Sequence, residues 1–550
     1  MASAWPYVNR IPHLGNLVGS ILPADVFARF LRLCGEECVF VSGSDEHGTP
    51  IEIEATKRGI PPKELTDQMH KKISELFSAW EISFDNYSRT ESEVHVNFVR
   101  HVYEKLYENG YIFDREVDVL YCPTCNKFLP DRFVEGVCPI CGYEGARGDQ
   151  CEKCGNLLEP TKLIEPRCAI CGTPPVVKRV KHWFFDLPKF SEKLRKAIER
   201  ANHSSNAKSF SLKLIEEGLK PRSVTRDNKW GIPAPFPGAE DKTIYVWMEA
   251  VLGYVSATIE HFKRKNLADE WKKYWMDENT KTVFFIGKDN IPFHTIILPA
   301  LLMATHEDYV MPWRVDASEF LMFEGQPFSK SRGIGIWIDE ALEICPADYW
   351  RFALLYNRPE TKDSDFRVSE FVNTVNSLLA NDIGNFVHRV LTFTKRYFGG
   401  RVPKASKRSR EDEEAELEKR RALSEYKELM FSFKLKDALQ RCIDLARFGN
   451  RYLNRREPWK LVKSDLEEAG SVLDTALGMV KALCFMLYPF TPNISNEIWK
   501  QLGYSDSIDA HSIEEAIEEL EVGQELGEVK PIIHKLSKED VLSKLKSIRS

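Results

Sequence analysis

Eight of the thirteen cysteines form four Cys-x-x-Cys pairs between residues 122 and 171. In a reducing compartment such pairs are typical of metal ligands and not of disulfides. Eight thiolates suffice for two zinc ions with four cysteines each, and four-thiolate ligation leaves no open position for water or substrate. We therefore predict two structural zinc sites, although the spacing alone permits three ways of joining the pairs and a redox role is a minor alternative. The pairs are Cys122/Cys125, Cys138/Cys141, Cys151/Cys154 and Cys168/Cys171.

Two further segments carry residues suited to binding phosphate. His13-Leu14-Gly15-Asn16 precedes a predicted helix, where a glycine lets the backbone approach a phosphate and free amides favour an anion. His13 can donate to a triphosphate as charge develops in a transition state. Far downstream, the cationic segment Phe328-Ser329-Lys330-Ser331-Arg332 can neutralise a pyrophosphate leaving group. Either segment alone is more typical of a structural turn or a surface loop, so the interpretation depends on their joint occurrence.

Both segments belong to regions where strand and helix patterns alternate, which predicts an open α/β domain. Between about residues 121 and 175 the helical periodicity disappears and Cys, Gly, Pro and Asp crowd together, which predicts a metal-stapled insertion in that domain. The loop 42–48 contains Asp45 and His47 and follows a predicted strand. The predicted elements are helices over 20–33, from 51, over 65–80, 94–106 and 292–304, and strands over 38–41, 243–247 and 282–286.

From Phe371 to about Leu502 the pattern changes to long helices, which predicts a helical bundle. Within it, residues 395–410 include seven basic and no acidic side chains. Both a solvated loop between helices and a polyanion contact fit this segment. Beyond Tyr504 the chain is acidic and then amphipathic, and its sequence indicates no chemistry.

Length and composition exclude several classes of protein. The 550 residues predict roughly three to five domains, and 43% hydrophobic with 29% charged residues argues against a disordered, fibrous or membrane-spanning chain. No segment approaches the ~20 apolar residues of a transmembrane helix, and the N-terminus lacks the pattern of a secretion signal, so we predict a cytosolic protein. The net charge of −6, from 76 basic and 82 acidic residues, means that a polyanion must be held by a local basic face.

Together, the two phosphate-binding candidates resemble the HIGH and KMSKS signatures of class I aminoacyl-tRNA synthetases. Within that class the chain from Ala2 to about Leu502 is most similar to the methionyl-tRNA synthetase family of the archaeal type. Further matching segments are Ser3-Ala4-Trp5-Pro6-Tyr7, Gly43-Ser44-Asp45-Glu46-His47-Gly48-Thr49-Pro50, Thr225-Arg226-Asp227, Tyr245-Val246-Trp247, Phe285-Ile286-Gly287-Lys288-Asp289, Phe293-His294 and Glu457-Pro458-Trp459.

The resemblance implies a multidomain α/β fold, in which a Rossmann-type, doubly wound catalytic domain is split by a zinc-binding insertion and followed by an all-α anticodon-binding bundle. It also favours nested metal sites, with Cys138, Cys141, Cys151 and Cys154 around one zinc and the outer two pairs around another, at least one of them filled. The implied regions are the catalytic halves 1–115 and 181–325, the insertion 116–180, a KMSKS-loop and stem-contact region 326–370, the anticodon domain 371–504 and an extension 505–550.

Site residues follow from the same resemblance. His13, Asn16 and Lys330 would be catalytic, with Gly15 and Asp289 also binding ATP, which would arrive with Mg²⁺. A methionine pocket needs apolar, polarisable walls because a thioether offers little to hydrogen-bond. Asp45 would be the counter-charge for the substrate ammonium in that pocket. Its other implied residues are Ala4, Trp5, Tyr7, Trp247, Ala250, Tyr254, Phe293 and His294.

For tRNA(Met), the resemblance maps anticodon contacts onto Asn385 and Arg389, four residues apart on one helical face, and onto Trp459. Three positions depart from the family pattern. Asn16 replaces the second histidine of HIGH, Pro327 replaces the first lysine of KMSKS, and Trp5 stands where a smaller apolar residue is usual, which can narrow the amino-acid pocket.

Two rival interpretations remain at this stage. One is a class I synthetase for another amino acid, cysteine first, although such an enzyme would place zinc in its substrate pocket and here all eight paired cysteines close two sites. The other is a non-catalytic, zinc-ribbon RNA-binding protein or assembly factor, which Asn16 and Pro327 keep open. The remainder beyond Tyr504 is too short for an oligonucleotide-binding barrel, so we predict a monomer that can use a separate tRNA-binding protein as partner.

Overall fold

The structure, a computed structural model, describes residues 1–129, 133–148, 151, 153–154, 158–329 and 332–549. The first 111 residues form β1 (Ala2–Ser3), α1 (Leu14–Asn16), α2 (Leu22–Leu33), β2 (Val41–Ser44), α3 (Thr49–Arg58), α4 (Pro62–Ala79), β3 (Asn86–Arg89) and α5 (Glu93–Glu108). The next segment forms β4 (Ile112–Cys122), β5 (Lys127–Phe128), β6 (Val134–Val137), β7 (Ala146–Arg147), β8 (Ile164–Cys168) and β9 (Val176–Phe185).

The α/β pattern then resumes with α6 (Ser191–Arg200), α7 (Ser205–Glu216), β10 (Arg222–Ser223), β11 (Thr225–Arg226), β12 (Thr243–Ile244), α8 (Val246–Glu249), α9 (Gly253–Arg264), α10 (Trp271–Trp275), β13 (Val283–Gly287), α11 (Leu298–Ala304), β14 (Arg314–Ser318), β15 (Leu321–Phe323), α12 (Ile338–Ile344), α13 (Ala347–Tyr356) and β16 (Ser364–Phe366). The remaining helices are α14 (Val368–Thr374), α15 (Asn385–Tyr397), α16 (Arg410–Phe431), α17 (Leu435–Arg456), α18 (Pro458–Leu461), α19 (Leu466–Leu487), α20 (Pro492–Gln501) and α21 (Lys538–Arg549).

Several helices are extended by segments of π-helical backbone. Leu17–Ile21 joins α1 to α2, Phe293–Ile297 leads into α11, and Val375–Gly384 joins α14 to α15. Residues 14–33 and 368–397 are therefore two continuous helical runs. Short 3-10 turns are formed by Pro160–Lys162, Leu187–Phe190, Ala250–Leu252, Lys288–Asn290, Ile508–Ala510 and Ile513–Ile517.

The α/β part of the fold is organised by a five-stranded parallel sheet with the order β14-β13-β1-β2-β3. The sequence predicted an open α/β domain, and this sheet confirms it. Because all five strands run in the same direction, their carboxyl ends meet at one edge, where ligands bind in open α/β sheets. The strand predicted over 38–41 lies three residues later, at Val41–Ser44.

The cysteine-rich insertion is carried by a long antiparallel ribbon. β4 and β9 pair from Ile112 opposite Phe185 to Tyr121 opposite Val176. A small sheet of order β7-β6-β8 lies between these two strands in the chain. The predicted insertion limits, 116 and 180, both fall within the paired ribbon, and they stay predictions.

One predicted strand is wrong over most of its length. Only Thr243–Ile244 of the segment 243–247 forms a strand, which pairs with the two-residue strand Thr225–Arg226. From Val246 the chain turns into helix α8, which begins when Met248 N–H donates to the Tyr245 carbonyl at 2.8 Å. The short partner strand leaves nothing for Val246 and Trp247 to pair with, so tertiary context overrides their strand propensity.

Helix α19 is the centre of the bundle. Residues 469–487 are buried all round, against α15, α16, α17 and α20. By length and composition alone this helix, with a mean hydropathy of 1.5, and the run Leu14–Leu33, at 1.3, could each cross a membrane. The expectation that no segment approaches that length was therefore wrong. The reason is that a helix buried on every face is apolar all round, and the windows of these two helices are 100% and 72% buried inside the protein.

The basic segment 395–410 includes the loop between α15 and α16. Lys407 pairs with Asp465, Arg408 pairs with Asp474 and Glu519, and Arg401 pairs with Glu525. Arg410 also pairs with Glu414. Four of the seven cations thus pair with acidic residues later in the chain, which favours the loop interpretation over a polyanion contact.

Candidate active site

The predicted substrate residues meet at the carboxyl edge of the parallel sheet. Ala4 and Trp5 follow strand β1, and Asp45 follows strand β2. The chain after β1 then pairs with the second loop, because Asp45 N–H donates to the Pro6 carbonyl at 3.0 Å and Val8 N–H donates to the Asp45 carbonyl at 3.1 Å. Ala4, Trp5, Tyr7 and Asp45 are therefore held together by backbone hydrogen bonds.

Trp5 is seated on two glycines. A Cβ atom at Gly43 would lie 2.7 Å from the Trp5 ring, and one at Gly253 would lie 2.6 Å from it. The indole meets the Tyr254 ring edge-on, with centroids 6.2 Å apart, and lies 5.9 Å from the His95 ring. The large residue at position 5 is thus accommodated by missing side chains opposite it, which the sequence analysis did not anticipate.

Tyr254 and His294 form a neutral polar pair in the pocket wall. Tyr254 Oη and His294 Nε2 are 2.7 Å apart, and His294 Nδ1 lies 2.9 Å from the Asn290 carbonyl. Burial lowers the pKa of His294 to about 4, so the ring is neutral. Its Nδ1–H then donates to the carbonyl, and its Nε2 accepts from the Tyr254 hydroxyl. Trp247 and Phe293 stack nearby with centroids 4.8 Å apart, and Ala250 is buried.

Asp45 is a buried carboxylate that lacks a full set of partners. Its side chain is 3% exposed, and Oδ1 has no hydrogen-bond partner within the described part of the chain. Burial, reinforced by repulsion from Glu249, raises the pKa of Asp45 well above its usual range. A buried oxygen that is costly to leave unpaired is suited to receive a cationic group from a ligand.

His47 is clamped between two carboxylates. Its Nδ1 contacts Glu249 Oε1, and its Nε2 lies 2.6 Å from Glu91 Oε1. Burial alone would lower the pKa of His47, but the two carboxylates outweigh that effect and raise it to about 10. His47 lies in the predicted loop 42–48, and its two partners, 44 and 202 residues away along the chain, could not be identified from local sequence. The Tyr7 hydroxyl donates to the His47 carbonyl, so this clamp supports the pocket wall.

His13 caps the N-terminus of the helical run 14–33. Asn16 N–H donates to His13 Nδ1 at 3.3 Å, and His13 N–H donates to Asn16 Oδ1 at 3.1 Å. Burial lowers the pKa of His13 to about 4. A neutral ring whose Nδ1 accepts a hydrogen bond carries its proton on Nε2, so the ring presents one donor away from the helix. A Cβ atom at Gly15 would lie 3.0 Å from this ring, so glycine leaves it room.

The downstream loop lies directly against this motif. The ring of Phe328 stacks on His13 with centroids 4.2 Å apart and an angle of 9° between the planes. Leu14 N–H donates to the Ile336 carbonyl at 3.1 Å, and Ile338 N–H donates to the Pro12 carbonyl at 3.0 Å. The two predicted phosphate-binding segments, 315 residues apart at these rings, are therefore adjacent. Lys330 itself lies outside the described residues.

Asp289 follows strand β13 at the same edge of the sheet. It is exposed, and its Oδ1 lies 2.7 Å from where a Cβ atom of Gly287 would be. Glycine at 287 thus makes room for the carboxylate to turn back over the strand end. The predicted ATP residues that the structure describes are His13, Gly15, Asn16 and Asp289.

The eight paired cysteines form two compact groups with nested connectivity, as the resemblance implied. Within each group all four Sγ atoms lie within 4.8 Å of one another. Hydrogen-bond-range Sγ···Sγ distances are 3.5 and 3.9 Å in the outer group, and 3.9 and 3.6 Å in the inner group. Four thiolates at the usual zinc–sulfur distance of about 2.3 Å are about 3.8 Å apart in a tetrahedron, so both groups fit this ion. The groups are Cys122, Cys125, Cys168, Cys171 and Cys138, Cys141, Cys151, Cys154.

The predicted anticodon residues form one cluster on the bundle. Arg389 lies over the Trp459 ring, with the guanidinium carbon 5.4 Å from the centroid. Asn385 Nδ2 and Arg389 Nη1 both point to Asn450 Oδ1, at 3.3 and 3.4 Å, and Arg389 Nη2 donates to Asn454 Oδ1 at 2.8 Å. The sequence analysis missed Asn450 and Asn454, although their spacing of four places both on one face of α17.

Comparisons with known proteins agree with this arrangement. The family described as tRNA synthetases class I (M) matches residues 1–391, and the anticodon binding domain of methionyl tRNA ligase matches residues 402–546. The chain is 56% identical to a methionine–tRNA ligase of Thermofilum pendens over 547 residues, which is 99% of this chain and 96% of that relative. It is 52% identical to that of Pyrobaculum aerophilum, over 100% of this chain and 97% of the relative.

The fold is also shared with a solved structure. A Mycobacterium tuberculosis methionyl-tRNA synthetase, solved in complex with methionyl-adenylate, superposes with a TM-score of 0.81 at 23% identity. The match covers 97% of this chain and 98% of that one. With both family matches and full-length relatives above half identity, the chain belongs to the methionyl-tRNA synthetases, the methionine–tRNA ligases of class I.

Proposed function

We propose that the carboxyl edge of the parallel sheet holds methionine in the Trp5–Tyr254 pocket and ATP against the His13 motif. The reaction is methionine activation to methionyl-adenylate and pyrophosphate, followed by transfer to the 3′ end of tRNA(Met). The observation that carries this assignment is the buried Oδ1 of Asp45, which lies beside an aromatic pocket and has no hydrogen-bond partner among the described residues. A buried carboxyl oxygen beside apolar and aromatic walls suits a ligand with an ammonium group and a thioether side chain, as in methionine.

The side-chain pocket selects by what it does not offer. His294 is neutral and its two nitrogens are already paired with Tyr254 and Asn290, so this residue presents neither a charge nor an unsatisfied ring nitrogen to the pocket. A thioether loses little on entering such a wall, whereas a side chain with strong donors would leave them unpaired. Ala4, Tyr7, Trp247, Ala250 and Phe293 complete the proposed lining, and Trp5 narrows it.

In the first step a methionine carboxylate oxygen attacks the α-phosphorus of ATP, and the bond to the β-phosphate oxygen breaks with its electron pair leaving on pyrophosphate. His13 Nε2–H, fixed by the cap with Asn16, donates to the triphosphate as negative charge builds up. Lys330 supplies a cation for the same charge, with Gly15 and Asp289 contacting the nucleotide. Mg²⁺ arrives as part of the ATP substrate and lowers its charge. The 3′-terminal ribose hydroxyl then attacks the methionyl carbonyl and AMP leaves.

Zinc is proposed as a structural ion in one or both four-cysteine groups. Four thiolates complete its coordination, so zinc holds the insertion together and takes no part in the reaction. On the bundle, Trp459 would stack an unpaired anticodon base while Asn385 and Arg389 read base edges. We further propose a cytosolic monomer that can use a separate tRNA-binding partner. Light scattering at micromolar concentrations that gave a dimer mass would contradict the monomer.

Pyrophosphate exchange with each of the twenty amino acids tests the proposal. We expect exchange with methionine alone, reduced about 100-fold or more in His13→Ala and in Lys330→Ala, because each removes a group that stabilises developing charge. His101→Ala and Lys272→Ala remove exposed residues of the same types and serve as matched controls. Exchange with a different amino acid would refute the pocket assignment, and parental rates in both test variants would refute the catalytic roles.

A further inference from the structure

Arg549, on helix α21, reaches the downstream loop from outside the catalytic domain. Its guanidinium donates to the Gly333 carbonyl at 3.2 Å and also to the Gly335 carbonyl. The same group pairs with both carboxylate oxygens of Glu340, at 3.0 and 2.7 Å, and lies 5.6 Å from the centroid of the Trp337 ring. One planar fork is thus shared among two carbonyls, a carboxylate and an aromatic face, which a lysine could not match.

The two carbonyls belong to residues with unusual backbone. Gly333 has φ +67° and Gly335 has φ +129°, which are backbone conformations that residues other than glycine rarely adopt. Gly335 also packs closely on Phe328, since a Cβ atom there would lie 2.4 Å from the Phe328 ring. Phe328 is the ring that stacks on His13. The next residues, Ile336 and Ile338, make the backbone hydrogen bonds that flank His13.

Helix α21 is itself fixed by other parts of the fold. Lys544 Nζ donates to the Ile344 carbonyl at 2.8 Å, at the end of α12. Just before the helix, Leu536 exchanges two hydrogen bonds with the side chain of Asn376, both at 2.8 Å. Asn376 lies on the helical run 368–397, which also carries Asn385 and Arg389. The contacts of α21 with α12 and with the bundle therefore fix the position of Arg549 relative to the loop.

We propose that Arg549 is a positioning residue for the nucleotide site, fixing the Gly333–Trp337 backbone so that Phe328 and the Pro12–Asn16 segment hold His13 in place. This inference rests on the proposed role of His13 in binding ATP. Without Arg549, the two glycines regain their conformational freedom and the wall against His13 must be ordered each time ATP binds. Loss of Arg549 should therefore weaken the binding of ATP and not that of methionine, because the methionine pocket is built from residues at β1, β2 and α9.

The test compares Arg549→Gln and Arg549→Lys with Lys546→Gln, which removes an exposed cation from the same helix. In pyrophosphate exchange we expect kcat/KM for ATP to fall tenfold or more in Arg549→Gln. Arg549→Lys should recover only part of the loss, since it keeps the charge without the fork. The Kd of methionine, measured by calorimetry without ATP, should stay within twofold of the parent, and Lys546→Gln should match the parent throughout.

A double-mutant cycle identifies the route. If Arg549 acts through the loop wall, Phe328→Ala and Arg549→Gln together should lose much less than the product of the two separate losses. Unchanged ATP parameters in Arg549→Gln, an equal loss for methionine and ATP together with a lowered Tm, or independent effects in the cycle would each overturn the inference. His13→Ala distinguishes a failure of the proposed nucleotide site from a failure of the positioning role of Arg549. Parental ATP parameters in that variant would refute the nucleotide site itself, whereas a large loss there with none in Arg549→Gln would refute only the positioning role.

Discussion

Replacing Asp45 with asparagine removes the proposed counter-charge for the methionine ammonium and keeps nearly the same shape. Oδ1 of Asp45 is buried and lacks a partner in the described part of the chain. Breaking a buried ion pair by removing one member typically costs ~3–5 kcal/mol, which corresponds to a loss of methionine affinity of roughly 200- to 5,000-fold. Asp45→Asn should therefore raise the Kd of methionine by at least two orders of magnitude.

The pH dependence of the parent provides an independent check. Burial and Glu249 raise the pKa of Asp45 well above its usual range, so a proton must leave before an ammonium can pair with it. Methionine affinity should rise with pH as Asp45 loses this proton, until the ligand ammonium itself deprotonates. In Asp45→Asn the rising limb should disappear, because no titrating group remains at that position.

Isothermal titration calorimetry from pH 5.5 to 8.5 measures both effects. A matched ligand, 4-(methylthio)butanoate, keeps the thioether and carboxylate of methionine but has no ammonium, and it should bind the parent and Asp45→Asn alike. Asp269→Asn removes an exposed carboxylate and should leave the Kd of methionine unchanged. Asp45→Asn should have a Tm no lower than that of the parent, since burying the unpaired Oδ1 opposes folding. A loss of affinity below threefold, or a flat pH profile in the parent, would refute the ammonium assignment.

Three further perturbations test other parts of the molecule. Cys125→Ser and Cys141→Ser each remove one ligand from a different four-cysteine group. Metal analysis should show about one zinc ion less per chain wherever that group is filled in the parent, while the rate of pyrophosphate exchange stays within about threefold of the parental rate. A tenfold loss of exchange would argue against a purely structural ion. Asn450→Ala removes the acceptor shared by Asn385 and Arg389. In aminoacylation, kcat/KM for tRNA(Met) should fall about tenfold, while the rate of pyrophosphate exchange stays at the parental value. Equal effects on both reactions would contradict an anticodon role. The pKa of His47 is raised to about 10, above its unfolded value near 6.5. The stabilisation that protonated His47 provides is therefore complete below pH 6.5 and is lost as pH rises through 10. His47→Gln should have a lower Tm than the parent at pH 6.5, and this difference in Tm should shrink toward pH 10. A constant difference would contradict a charged His47.

The features that were predictable from sequence depend on short spacings. Cys-x-x-Cys pairs place two thiolates at one turn whatever the surrounding fold, so the eight ligands were identifiable before their grouping was. His13 and Asn16 form a local cap, three residues apart, and the alternation of strands and helices indicated an open α/β domain. In the structure, Ala4, Asp45 and Asp289 follow strands of its parallel sheet at the carboxyl edge. The family resemblance supplied what spacing could not, namely the pairing of the cysteine groups and the residues that we propose for the methionine pocket.

The features that escaped prediction depend on contacts between distant segments. Nothing near Trp5 indicates that Gly43 and Gly253 lie beneath it, and no local pattern joins His47 to Glu249 or Arg549 to Gly333. The helix Leu466–Leu487 also escaped prediction, as a helix long and apolar enough to cross a membrane. A helix surrounded by other helices has the same apolar composition as one surrounded by lipid. Val246 and Trp247 have strand propensity, but the two-residue partner strand offers them no pairing and a helix forms.

The π-helical stretch Val375–Gly384 gives its helix tolerance to a change in length. An α-helix advances about 100° and 1.5 Å per residue, and π-helical backbone accommodates a surplus residue within an otherwise continuous helix. Deleting one residue from regular α-helix would turn everything after it by about 100°. A deletion within the π-helical stretch can instead be absorbed as the run relaxes to α-helical hydrogen bonding, so Asn385 and Arg389 would still face Asn450. The stretch therefore separates the length of this helix from the face that its later residues present.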